Sequence, residues 1–116
     1  MKIYVLFIAI ILPFPIAAYS NDLREVELLN KLKSEIDNNN YAKVMALAKT
    51  YEDEYLGDPN FDFLLGIAAL ETQQVDLSVF AFERVIANRP TWIDAKLYLA
   101  RAYYLSSNYQ SAIMQC

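Results

Sequence analysis

The chain has 116 residues, enough for one small domain, and carries 14 acidic against 10 basic side chains for a formal charge of −4. Apolar and aromatic residues make up 56% of it, which excludes intrinsic disorder. The acidic balance and the lack of any Lys/Arg cluster exclude nucleic acid and anionic lipid surfaces as partners.

The first twenty residues, MKIYVLFIAIILPFPIAAYS, stand apart from the rest. One basic residue, Lys2, precedes an apolar run from Ile3 to Leu12, followed by prolines and small residues. This is the layout of a secretory signal peptide, residues 1–20, with cleavage expected after Ser20 or, second, after Ala18. A membrane anchor is the poorer reading: the run falls short of the roughly 20 apolar residues needed to span, and Pro13 and Pro15 interrupt it. The only cysteine is Cys116, so no internal disulfide can form and no lipid-attachment cysteine follows the apolar run. An exported, disulfide-free helical chain fits the periplasm or cell envelope of a Gram-negative bacterium.

Beyond Ser20 there are two prolines and two glycines, and apolar residues recur with helical spacing. A first helix is expected from Asn21 or Asp22, with Leu28, Leu29, Leu32 and Ile36 on one face, ending at the turn formers Asp37-Asn38-Asn39-Asn40. A second runs from Tyr41 to about Tyr55, with Gly57 at its C-terminal stop. A third spans about Phe61 to Thr72, capped by Asp58 or Asn60 with Pro59 in its first turn. The fourth runs from about Leu77 to Asn88 and is closed by Pro90. The fifth covers about Trp92 to Leu105, capped by Thr91, and a short sixth begins at Tyr109.

These helices repeat. A shift of 34 residues places Leu65 on Leu99, Gly66 on Ala100, Asn40 on Gln74 and Asn108, and Val44 on Ser78 and Ala112. Gly66 sits inside the third helix, at a cost of about 1 kcal/mol against alanine. The expected reason is close packing: Gly66 and Ala100 oppose the small residues Ser78 and Ala112 of the following helix, while Phe82, Leu99 and Tyr103 fill the wider levels.

Leu65, Gly66, Phe82 and Pro90, then Leu99, Ala100, Tyr103 and Ala112, make the chain resemble the tetratricopeptide repeats. Departures occur at Ala69, Ser78 and Val85, and the first repeat carries Lys31-Leu32 where the family has Leu-Gly. The resemblance implies an all-α fold of antiparallel helical hairpins stacked as a right-handed solenoid. Residues 21–57 would form a degenerate first hairpin, 58–90 a full repeat and 91–116 an incomplete one. The stretch from Gly57 to Tyr104 also resembles the periplasmic repeat segments that precede outer-membrane β-barrels, including surface lipoprotein assembly modifiers. The chain would then be a truncated part of such a protein, its barrel missing.

The resemblance also implies a concave groove lined by the first helix of each repeat. Its residues would be Val26, Leu29, Lys33, Ile36 and Asp37; then Asn60, Phe63, Ile67, Leu70 and Glu71; then Asp94, Leu97, Arg101, Tyr104 and Leu105. Most are apolar, which suits an apolar extended peptide or a helix laid in the groove. That the same residues pack on a missing neighbouring domain or simply complete the core is an equal reading. The carboxylate clamp of co-chaperone members is not expected, since only Lys33 and Arg101 are basic here and the asparagine partners are missing.

Chemistry is poorly supported. Histidine is absent, no glycine-rich loop precedes a helix, and Cys116 has no basic neighbour. The acidic run Glu52-Asp53-Glu54 lacks the spacing of a calcium loop, and Asp58 and Asp62 read as helix N-terminal charges. The chain is therefore expected to be a non-catalytic module with no metal or cofactor, binding a protein or peptide and meeting a membrane only through the signal or a missing barrel. The alternative is a small exported domain acting through self-association as a homodimer.

Overall fold

A computed structural model describes residues 16–106, with side chains from Leu23 onward, and residues 113–114. Five helices account for nearly all of the described residues, and no strand occurs among them. They are α1 (Ile16–Asp37), α2 (Tyr41–Tyr55), α3 (Pro59–Glu71), α4 (Val75–Asn88) and α5 (Ile93–Leu105). The fold is all-α, with consecutive helices stacked as antiparallel hairpins.

The element boundaries keep the 34-residue period. α3 and α5 start at Pro59 and Ile93 and end at Glu71 and Leu105, while α2 and α4 start at Tyr41 and Val75. The turns inside the two hairpins are copies as well. Asn39 and Gln73 both adopt a left-handed backbone, φ 60° and 64°. The Asn40 and Gln74 N–H groups each reach back to the carbonyl five residues earlier, at 2.8 Å. That closes both first helices with the same Schellman turn. The links between hairpins differ: Gly57 takes φ 99° in one, and Pro90-Thr91 stand in the other.

Four helix starts differ from expectation, two of them by two residues: α3 starts at Pro59 rather than Phe61 and α4 at Val75 rather than Leu77. α1 begins at Ile16 rather than at Asn21 or Asp22, because Ala17 and Ala18 are strong helix formers and nothing between Ile16 and Asp22 breaks the helix. α3 is capped by Asp58, whose Oδ1 accepts from the Asn60 and Phe61 N–H groups at 2.8 and 3.2 Å, with Pro59 at its first position; Asn60 is inside the helix. α5 has Trp92, not Thr91, at its N-cap, and no side chain caps it. Of the sixth helix, Ile113 and Met114 are helical and exposed, while Ala112 and Cys116 lie outside the described residues.

α3 is the centre of the stack. It packs on α1, α2, α4 and α5, and its residues from Leu65 to Leu70 are buried without a break. A helix apolar on every side must be covered on every side. On one flank Phe61, Leu65 and Ala68 join Leu28 and Leu32 of α1, Val44 and Ala48 of α2, and Ala81. On the other, Ile67 joins Phe82, Val85, Ala95 and Leu99.

At Gly66 the Phe82 side chain of α4 fills the space a side chain would need. A Cβ there would stand 2.7 to 2.9 Å from the Cζ and Cε atoms of the Phe82 ring, so no side chain fits without displacing the ring. The nearest neighbour is thus Phe82 itself, in place of the small residue Ser78 that was expected opposite the glycine. Ser78 is fully buried, but its hydroxyl has no hydrogen-bond partner.

Candidate functional site

One face of α1, one face of α3 and the start of α5 border an open-sided cavity of about 480 Å³. α1 contributes Leu29, Asn30, Lys33, Ile36 and Asp37, spread over a little more than two turns. α3 contributes Asn60, Phe63, Leu64 and Ile67. Trp92 and Tyr98 close the third side. The aliphatic and aromatic groups are half-buried or buried, while Asn30, Lys33 and Asp37 are exposed at the mouth.

The third side is held by a packed aromatic cluster. Trp92 stacks on Phe63 at 4.5 Å between ring centres, and Tyr98 meets the same Phe63 edge-on at 5.7 Å. Behind them Phe82 touches Phe63 at 5.9 Å and stacks on Tyr98 at 5.4 Å. The Arg89 guanidinium lies 5.4 Å from the centre of the Trp92 ring. Each such ring pair adds roughly 0.5–1.5 kcal/mol beyond burial, so the wall of the cavity is preformed. The Phe82 ring that excludes a side chain at Gly66 is the same ring that supports this wall.

The expected groove residues divide into three groups. Leu29, Lys33, Ile36, Asp37, Asn60, Phe63 and Ile67 line the cavity, although Ile67 is mostly covered by the core. Leu70 does not: it is only 4% exposed and belongs to the interior of α3. Val26, Glu71, Asp94, Leu97, Arg101, Tyr104 and Leu105 are exposed outside the cavity. Arg101 donates to Glu71 at 3.0 Å, joining α5 to α3 across the surface. Trp92 and Tyr98 were missed by repeat counting, since Trp92 precedes α5 and Tyr98 is not a groove position. A useful signal was there: Trp92 is the only tryptophan and lies close after Arg89 and Pro90.

Among the residues assigned structural roles, Ala100 is buried and Tyr103 half-buried; Pro90 is exposed in the link before α5; Ala112 lies outside the described residues.

Several ionisable groups tie one helix to another. Asp62 is fully buried and accepts from Arg84 Nη2 at 3.0 Å, Arg84 Nε at 3.2 Å and the Gly57 N–H at 3.1 Å. This bidentate pair ties the start of α3 to α4. Tyr103 donates to Glu83 between α5 and α4, and burial, with the Glu83 charge, pushes its phenol up to about 12. Glu35 is held below the usual carboxylate range by hydrogen bonds from Asn40 and Lys43. Among the described residues no group of three or more His, Cys, Asp or Glu could hold a metal ion, and no helix is long and apolar enough to cross a membrane. No protein-family model matches the chain, and a search of curated proteins returned no match.

Proposed function

We propose that this chain is an exported, non-catalytic repeat module of tetratricopeptide type that binds an apolar segment of a protein or peptide partner and scaffolds an assembly at the cell envelope. One observation carries the reading: residues of two successive repeats, with Trp92, converge on a single apolar cavity whose mouth is polar. The 34-residue recurrence of helix boundaries and Schellman turns supports the tetratricopeptide reading. Apolar floor and sparse polar rim are what a bulky aliphatic or aromatic side chain on an extended backbone requires, with Asn30 and Asn60 carboxamides placed to meet backbone groups.

Trp92 is the only tryptophan, so its fluorescence reports the cavity directly. Capped nine-residue peptides with a central Phe, Leu, Lys or Glu are titrated against the protein. Peptides with Phe or Leu shift the Trp92 emission and saturate, and Ile36→Asp abolishes the response. Equal responses from all four peptides, or an unchanged response in Ile36→Asp, contradict the reading. Export rests on the leader at residues 1–20. Its test is the N-terminus of protein recovered from the periplasm of an expressing bacterium, expected at Asn21 or Tyr19; recovery of chains starting at Met1 contradicts it.

A further inference from the structure

The link between α4 and α5 is a built turn. Arg89 closes α4, its N–H donating to the Val85 carbonyl at 2.7 Å, and its own carbonyl accepts from the Trp92 N–H at 3.1 Å. Pro90 holds the second position of this four-residue turn, where its fixed φ is favoured. Such a turn brings its first and fourth residues together, and here their side chains meet: the Arg89 guanidinium lies over the Trp92 ring, 5.4 Å from its centre. Phe63 already fills one face of that ring, at 4.5 Å and 25° between planes, so the guanidinium covers the other. Trp92 borders the cavity and Arg89 does not. With both faces occupied, the part of the indole left for the cavity is its edge.

On the reading of the cavity as a peptide site, we infer that Arg89 is a positioning residue for it, holding Trp92 edge-on so that the site prefers an aromatic side chain of the partner over an aliphatic one. An aromatic ring is positive at its edge and negative on its faces, so an edge-on indole is met best by the face of another ring. The cation over the indole draws electron density toward the covered face and makes that edge more positive. The molecule already uses this arrangement: Tyr98 and Phe82 both meet Phe63 at steep angles, 79° and 70° between planes. A guest ring extends the pattern by one member. An aliphatic side chain fills the same space but has no negative face to offer. Arg89 therefore acts on the ligand only through Trp92, from outside the cavity.

Acrylamide quenching of the Trp92 fluorescence in the free, full chain reads how well the ring is covered. Arg89→Ala raises the quenching constant by about twofold, because one of the two faces is freed, and Arg89→Lys, which keeps a cation, stays near wild type. Capped nine-residue peptides with a central phenylalanine, or a central cyclohexylalanine that matches its shape without a π face, are then titrated against each protein. Wild type binds the phenylalanine peptide about two- to tenfold more tightly, the range that one edge-to-face ring pair supplies. Arg89→Ala lowers this ratio toward one, and Arg89→Lys restores it. Arg89→Gln, nearly as long but uncharged, takes the place of Arg89→Ala if that variant loses its helical circular-dichroism signal. Equal affinity of wild type for the two peptides overturns the inference and leaves the peptide site standing, whereas binding of neither overturns both. A quenching constant or a peptide ratio that Arg89→Ala leaves unchanged also overturns it.

Discussion

α3 and α5 occupy the same place in successive repeats and meet different fates. Toward the preceding hairpin they are alike: Phe61 and Ala95, then Leu65 and Leu99, are buried in both. Away from it they diverge. Leu70 is buried in α3, while its counterpart Tyr104 is 62% exposed in α5; Phe63 is enclosed by three rings, while Leu97 stands in the open. Identical register therefore gives different burial, because in a stack each helix is covered by its neighbours and not by its own hairpin alone. It also places the cavity between α1 and α3, where a following helix supplies Trp92 and Tyr98, rather than along α5.

The comparison is broken most sharply by truncating the paired positions. Phe63→Ala is expected to cost about 3 kcal/mol, since it empties the centre of the aromatic cluster, whereas Leu97→Ala stays within about 0.5 kcal/mol. Denaturant unfolding measures both. Gly66→Leu comes next, at about 1–3 kcal/mol by overpacking, because Phe82 is itself pinned by Phe63 and Tyr98 and cannot swing aside. An unchanged melting temperature in that variant would remove the reason for the glycine. Ser78→Ala works in the opposite direction. It deletes a buried hydroxyl without a partner and improves helix propensity, so stability rises by about 1 kcal/mol in the same assay.

The smallest effect concerns how α5 is held. Tyr103 donates to Glu83 of α4 and titrates at about 12 in the folded chain, above the ordinary phenol value near 10. A pKa raised by folding contributes stability in full below the unfolded value and loses it as pH rises through the folded one. Stability therefore declines between about pH 10 and 12, and Tyr103→Phe flattens that part of the pH profile. A decline of the same size in the variant would assign it to other groups.

Much of the fold was legible because it is local. The Asn38-Asn39-Asn40 run, Gly57, Pro59 and Pro90 punctuate the helices at or within a few residues of where they break, and the 34-residue offset orders them. Crowding at Gly66 was legible too, but not its cause. Which residue fills the space depends on the direction of the Phe82 side chain, which spacing does not specify. The buried Asp62–Arg84 pair joins residues 22 apart, on two helices whose facing surfaces only packing defines. At the site, repeat counting named residues of α1 and α3 that line the cavity, while the residues it named on α5 lie outside it. It assumed that every repeat presents the same residues to one groove, whereas the cavity takes its third side from Trp92 and Tyr98. Asn21 and Asp22 failed as a helix start for a simpler reason: capping residues act only where the preceding chain is not already helical.

Native-state hydrogen exchange tests the central claim, that α3 is the shared core of a helical stack and α5 is the less buried of the two. The account predicts that amides from Leu65 to Leu70 exchange only through global unfolding, while those from Ala100 to Leu105 open at measurably lower free energy. Equal protection of the two stretches, or faster exchange in α3, would contradict it.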